Sequence, residues 1–532
     1  MKIAILVDHL EVSVWQARAI EGIRGCTELI IYNCTNSRAG RKSFRHGAYY
    51  ALNLMTIRNR LTKRVPVSSL SLQPSKVVDF ATEYEGAWQR IPHATIREIE
   101  SDHPDVILKF GLGLLRVPER DLLSAPILSY HHGDPSAYRG RPAGFYELLE
   151  GRPLMGQMVQ RLSNRLDAGE VVAFAETKVF PHSYRETLLA AYGASPLLLG
   201  TAIQNARSGR DIARPPTGKV YRLPGNLRVV RFVVRMAAAF VRRLAYGALF
   251  EKRWEVSVAP CAPEALLSGG DLPPPAEWRK LERPASYNFL ADPFFEPGGE
   301  GFLVEALHAT SGKGEILRIT NEEARRLSDP AVHHSYPASV SEGSKDYVVP
   351  EACESGRAII YSYEDCRMEA VGELDVAGAG GLLDPTFLRH EGSLYLFANR
   401  KAEGAGILRL WRSSSLFARF EEHPASPIRI SPEGSRMAGE IFSCDGRLLR
   451  LGQQWGKSYG SGLLIFGIDA LSPESYSESL LRSIAFGDGI KGPHTLNFRN
   501  GLALFDWYRD AFTPAAGLRR LAARRGRSAT SA

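Results

Sequence analysis

The residues best suited to chemistry lie between Ser129 and Val172, in the stretch SYHHGDPSAYRGRPAGFYELLEGRPLMGQMVQRLSNRLDAGEVV. His131 falls where a short apolar run, ILSYHH, turns into loop, and Asp167 sits in a separate turn, LDAGE. A carboxylate delivered from a second loop can orient an imidazole and polarise it for proton transfer near neutral pH. A YRG turn (Tyr138, Arg139, Gly140) stands between them, followed by a helix-like segment. A lone histidine at such a place is as often a satisfied core residue. The combination with Asp167 and the turn is what points to a proton-transfer site.

The elements that must position this pair are legible as alternation. KIAILVD (2–8), ELIIYNC (28–34), DVILKFG (105–111), ILSYHH (127–132) and VVAFAET (171–177) are short apolar runs, and helix-like segments such as VWQARAIEGIR separate them. That pattern predicts an α/β, Rossmann-like domain over 1–204, with a parallel sheet covered by helices. Ligands in such sheets bind outside the carboxyl ends of the strands, which is where His131 falls.

At 532 residues the chain is long enough for several domains. Apolar content of 44% and charged content of 23% are those of a globular protein able to bury large cores. Six scattered cysteines without a CxxC pair read as reduced thiols and offer no metal-ligand spacing, so no metal is expected. MKIAILVD reads as a strand and not a secretory signal, and no apolar run is long enough to span a membrane, which points to a cytoplasmic protein. The net charge of +8 is concentrated at 228–243 and 519–527, a distribution that speaks against a nucleic-acid groove. Residues 205–283 read as a linker carrying a basic amphipathic helix at 227–250. On a helical wheel Arg228, Arg231, Arg235, Arg242 and Arg243 occupy an arc of about 120°. Such a helix either packs between domains with its arginines outward, or makes peripheral contact with an anionic membrane.

From 284 to 511 the texture is all-β, with short runs, Gly-rich turns and many aromatics. A strand-turn-strand unit recurs at 291–306, 348–363, 383–400, 438–454 and 492–508, which predicts a five-bladed β-propeller. The first strand of each blade lines the axis. Asp292, Glu351, Asp384, Glu440 and His494 are thereby expected to face one central funnel. Trp455, Tyr459, Trp507 and Tyr508 are candidates for stacking on sugar faces. The Arg-rich residues 512–532 read as a disordered tail.

The first region resembles the formyltransferases that use 10-formyltetrahydrofolate, a family that includes methionyl-tRNA, glycinamide-ribonucleotide and sugar-amine enzymes. The resemblance rests on Ser129-Tyr130-His131, Tyr138-Arg139-Gly140 and Leu166-Asp167-Ala168-Gly169, and it covers about 1–204. It implies that His131 is the general acid/base, that Asp167 orients it, and that an amine attacks the formyl carbon. Together with the appended propeller, His131 and Asp167 point to an amine on a sugar, nucleotide sugar or glycolipid as the acceptor. One position departs from the family. Ser129 stands where the family has asparagine, and a hydroxyl reaches less far than a carboxamide. A closer substrate or a second donor such as Asn164 would have to compensate; otherwise formyl transfer is lost.

The last region resembles five-bladed arabinanase- and fructosidase-type glycoside hydrolases. It resembles still more the amino-terminal region of glucosamine inositolphosphorylceramide transferases, through RLLRLGQQWGKSYGSGLLIFGIDALSPESYSE (447–478). The hydrolase likeness implies Asp292, Asp384 and Glu440 as a base or nucleophile, a tuning acid and a proton donor, since glycoside chemistry needs paired carboxylates. Three functions therefore stand at this stage. They are an N-formyltransferase with a glycan-recognising propeller, a glycosyl hydrolase or transferase working through the propeller carboxylates, and a non-catalytic adaptor for glycans or lipids.

Overall fold

A computed structural model describes residues 1–37, 43–56, 58–119, 122–352 and 355–520. The chain divides into two compact units, Met1–Arg243 and Leu244–Ala532.

The first unit is built on seven strands: β1 (Lys2–Val7), β2 (Glu28–Cys34), β3 (Lys76–Phe80), β4 (Val106–Lys109), β5 (Ile127–His131), β6 (Leu154–Arg161) and β7 (Glu170–Lys178). Their order across the sheet is β7-β6-β5-β4-β1-β2-β3. The five strands from β5 to β3 run parallel, while β6 and β7 are antiparallel additions at one edge. KIAILV and VILK are almost wholly buried, as central strands covered on both faces must be. Ile96 and Ile99 of the helix His93–Ser101 pack on Ala4, Leu6, Ile30 and Ile107 of one face. The expected alternation is therefore present, with two corrections. VVAFAET is an antiparallel edge strand, and its hairpin partner β6 comes from LMGQMVQR, within a segment that reads as helix-like. Gly156 lies at a position where a Cβ would meet the Asp134 backbone, so the glycine marks a close approach within a strand.

The chain leaves β1 toward β2 and β3 on one side and reaches β4 and β5 on the other. The carboxyl ends of β1 and β4 therefore flank the point where the winding reverses, the place where doubly wound sheets open a crevice.

The stretch taken as a linker is partly structured within this unit. Lys219–Tyr221 forms a parallel pair with Tyr138–Gly140, and Tyr221 packs on Tyr146 with ring centroids 4.1 Å apart. The long helix runs Asn226–Leu249. It buries Val229, Phe232 and Ala239, and Phe232 stacks on Phe145 at 4.3 Å. Its five arginines are exposed, and so are Leu227, Val230, Val234 and Val241. Among the described residues no helix is long and apolar enough to cross a membrane.

In the second unit five antiparallel sheets of four or five strands follow one another. The first strands of successive sheets touch in order: Tyr287–Phe295, Ser335–Glu342, Leu382–His390 and Glu433–Met437. The Leu496 N–H then donates to the Ala438 carbonyl at 2.9 Å, and Leu496–Arg499 returns to the first strand. This arrangement is consistent with propeller blades. One sheet is assembled from both ends of the unit. Phe250–Pro260 pairs along its whole length with Leu502–Phe512, from Phe250 opposite Phe512 to Pro260 opposite Leu502, and Arg279–Lys280 adds a further strand. The boundary at 284 is thus too late. The strand partner of Phe250–Pro260 lies some 250 residues away, so no local turn signal announces it. Residues 512–520, placed in the tail, also carry structure: the Thr513 amide donates to Leu249 O at 2.7 Å, and Ala516 is buried. The remainder of the expected tail, 521–532, lies outside the described residues.

Candidate functional site

His131 ends β5, and its Nδ1 lies 3.4 Å from Asp167 Oδ1, with both side chains largely enclosed. Asp167 adopts φ 45°, a left-handed conformation that aspartate tolerates better than most residues. Its other oxygen accepts the Gly140 N–H at 2.7 Å. Arg139 Nε donates to Leu166 O at 3.1 Å and its Nη1 to Pro216 O at 3.2 Å. The YRG strand and the LDAG turn are thereby fastened to each other, and the carboxylate is fixed against the imidazole. His131 Nε2 lies 3.1 Å from the Tyr138 carbonyl, over Gly133, where a Cβ would approach that nitrogen to 2.7 Å. An acceptor stands opposite each ring nitrogen. Proton exchange with a substrate at Nε2 therefore requires the Tyr138 contact to open.

Ser129 is buried two residues before His131, paired in register with Lys109 of β4 and Gln160 of β6. Asn164 is committed elsewhere, its carboxamide oxygen accepting the Val117 amide at 2.8 Å. Two groups here were not singled out by sequence. Lys109 is pushed down to about 8 by burial, against the pull of Asp8 and Asp167. Glu147 lines the same small pocket as His131 and Arg139, and burial, with Glu150 and Asp134 nearby, lifts it to about 7. A charged residue ending an apolar strand, KF after VIL, was the available signal for Lys109. The neighbouring His132 is pushed down to about 3 by burial, with Nε2 2.9 Å from Ser195 Oγ, so it stays neutral. A cavity of about 360 Å³ is lined by Tyr49, Tyr50, Asn53, Arg141, Tyr184 and Tyr192, among others. The buried Asn53 carboxamide oxygen has no hydrogen-bond partner among the described residues.

The second unit gathers a separate set of charges. Asp292 and Asp384 occupy the same place in two first strands, each before a proline and each with φ near 45° (44° and 46°). In the intervening sheet that place belongs to Tyr336, φ 46°, followed by Pro337. Glu351 is therefore not a first-strand residue. It lies on the second strand, opposite Ser335, as Glu305 lies opposite Ala291. The repeat at 348–363 was read one strand out of phase, because tyrosine replaces the marker aspartate in SYPAS.

Two linked clusters result. Asp506 accepts the amides of Asp292 (3.1 Å), His494 (2.9 Å) and Thr495 (2.9 Å), and it holds His494 Nδ1 at 2.6 Å. His494 Nδ1 is 3.6 Å from Asp292 Oδ1, and His494 Nε2 is 3.0 Å from the Tyr459 hydroxyl. Burial raises Asp292 to about 6, opposed by His494, while Asp506 and Asp292 overcome burial to hold the imidazole above its ordinary value. Asp292, His494 and Asp506 offer three ligand atoms within 4.8 Å of one another, enough for a small cation, although hydrogen bonds already engage them. In the other cluster Arg436 pairs with both oxygens of Asp384 and, at 3.3 Å, with Glu351. Burial lifts Glu351 to about 8 against the pull of Arg436, so it holds a proton at neutral pH. Burial together with Asp292 of one cluster and Glu351 of the other raises Glu305 strongly. Carboxyl groups whose values are driven apart in one site are suited to separate acid and base duties. Glu440 stands apart: its carboxylate accepts Ser339 at 3.2 Å and its amide donates to Asn497, with no bond to either aspartate. Of the candidate aromatics, Tyr459 remains partly exposed beside His494, whereas Trp507 and Tyr508 are packed within their sheet, Trp507 donating to Ser257.

Residues 283–499 match the family described as glucosamine inositolphosphorylceramide transferase 1, N-terminal. This part of the second unit is thus a domain like the amino-terminal region of those transferases. Glucosamine inositolphosphorylceramide transferase 1 of Arabidopsis thaliana is 30% identical over 206 residues, covering 36% of this chain and 27% of its own length. The chain spans little more than a quarter of the length of the curated relatives it matches. Among solved structures, glycinamide ribonucleotide transformylase 1 from Symbiobacterium toebii is similar at 15% identity and a TM-score of 0.28, over 42% of this chain and 94% of that one. An exo-1,5-α-L-arabinanase from a bovine ruminal metagenomic library is similar at 12% identity and the same TM-score, over 38% and 86%.

Proposed function

We propose that the first unit transfers a formyl group from 10-formyltetrahydrofolate to an amine on a sugar, nucleotide sugar or glycolipid, and that the propeller recognises the glycan. The observation that carries this reading is His131 at the carboxyl edge of the sheet with Asp167 held against it by the YRG strand. Asp167 keeps the imidazole oriented, and His131 relays the proton that the attacking amine must lose. Glu147, near neutrality in the same pocket, is a second acceptor for that proton. Arg139 holds the turn that carries Asp167.

For the donor, the tyrosines of the adjacent cavity offer faces for a flat ring, and the unpartnered Asn53 oxygen offers an acceptor for ring N–H groups. When bound, 10-formyltetrahydrofolate supplies an activated formyl carbon. The glycan role of the second unit is supported by the acid clusters beside Tyr459 and by the likeness to the amino-terminal region of glucosamine inositolphosphorylceramide transferases.

Incubation with 10-formyltetrahydrofolate and a panel of amino sugars tests the reading. Tetrahydrofolate release should depend on the amine and fall about 10²–10⁴-fold in His131→Ala, the usual contribution of a general acid/base. Absence of both turnover and folate binding refutes it.

A further inference from the structure

The winding reversal of the first sheet places three strand ends together, and one of them carries a cation that the site chemistry described so far leaves unused. Lys109 ends β4 and pairs in register with Ser129 of β5. Paired residues of parallel strands project on the same face, as do residues two apart, so Lys109, Ser129 and His131 share one face. Lys109 feels the fields of Asp8 and Asp167. Both carboxylates are engaged elsewhere: Asp167 with His131 and Gly140, Asp8 with the Leu112 amide at 2.8 Å. Lys109 forms no ion pair of its own among the described residues. A partly buried ammonium without a dedicated counterion is costly to keep, and here it lies on the sheet face that carries the polarised imidazole.

We propose that Lys109 is a catalytic residue that donates to the oxyanion formed on the formyl oxygen, a position the Ser129 hydroxyl is too short to serve. The inference rests on the formyl-transfer reading. In the step, the amine nitrogen bonds to the formyl carbon and the carbonyl pair moves onto oxygen, where the Lys109 N–H meets it. The pair then returns as the carbon–nitrogen bond to the donor breaks, and the proton lost by the amine passes through His131 to the departing nitrogen. Atoms and charge balance without an oxidant. Arg139 is held by the Leu166 and Pro216 carbonyls, and the Asn164 side chain is anchored through its oxygen by the Val117 amide. A long, flexible cation suits a donor that must reach past a serine.

The test uses the full chain with Lys109→Met and Lys109→Arg. Lys109→Met should lower kcat about 10²–10³-fold, the usual loss for an oxyanion donor, while the KM for the folate donor stays within about threefold. Lys109→Arg should restore most of kcat, because a cation remains. The wild-type rate should fall above about pH 8 as the ammonium deprotonates, and that limb should move upward in Lys109→Arg. Independently of turnover, bound 5-formyltetrahydrofolate should slow acetylation of Lys109 by acetic anhydride, read by mass spectrometry. Undiminished kcat in Lys109→Met overturns the proposal, as does a loss confined to KM, which would make Lys109 a ground-state anion anchor. If the wild type turns over and only these variants behave otherwise, Lys109 alone is refuted. A wild type that neither turns over nor protects Lys109 refutes the formyl-transfer reading itself.

Discussion

Lys109→Met should make the first unit more stable, and the gain can be worked from the structure. Burial lowers the lysine from 10.5 to about 8. At about 1.36 kcal/mol per pH unit, that difference amounts to a penalty of roughly 3 kcal/mol for carrying the charge in the folded state. The figure is an upper bound, because water reaches part of the side chain. The sign follows from proton counting. Below pH 8 both folded and unfolded chains hold the proton and the penalty is complete. Between 8 and 10.5 the unfolded chain holds the proton that the folded chain has released, so wild-type stability rises with pH and the penalty fades. Methionine conserves volume and carries no charge, so packing cost is small. Amide hydrogen exchange of the β1 and β4 peptides reads the opening free energy of this unit separately from the second unit. The variant should exceed the wild type by up to about 3 kcal/mol at pH 7 and by about 2 kcal/mol at pH 9. Equal or weaker protection in the variant at pH 7 would refute the claim that this charge is held at a cost, and with it the functional rationale for keeping it.

Two further outcomes follow from the other charged features. Arg436→Met strips the countercharge from Asp384, and should destabilise the second unit by about 3–5 kcal/mol at pH 7. Urea unfolding followed by tryptophan fluorescence checks this; the loss should narrow in acid, since protonated carboxyls need no countercharge, and a loss that does not change with pH would count against the pairing. The long helix should bind phosphatidylserine-containing vesicles through Leu227, Val230, Val234 and Val241, with its arginines drawn to the anionic headgroups. Flotation should weaken with salt and be lost in Val234→Glu; flotation unaffected by either would exclude this face as the contact.

What could be read from sequence and what could not divide along physical lines. His131 and Asp167 were legible because each is marked locally, one by the end of an apolar run and the other by a turn. The sheet was legible from buried runs such as KIAILV, whereas β6 was missed because LMGQMVQR alternates neither like an edge strand nor like a helix. In the second unit the aspartates before proline marked Asp292 and Asp384, but Tyr336 broke the pattern and shifted Glu351 by one strand. Glu305, Arg436 and Asp506 carried no mark at all, since their relation to the aspartates exists only where folding brings separate strands and sheets together. Lys109 is the sharpest case. In the linear text Ser129 is a defect, a hydroxyl where the resemblance implies a carboxamide. In the sheet the residue opposite it, twenty positions earlier in the chain, is a partly buried cation on the same face. A strand end that loses a long donor can regain one from its neighbour, because register places the two side chains side by side. The departure at 129 is therefore evidence against activity only if Lys109 is ignored, and the Lys109→Met and Lys109→Arg pair decides between a lost donor and a relocated one.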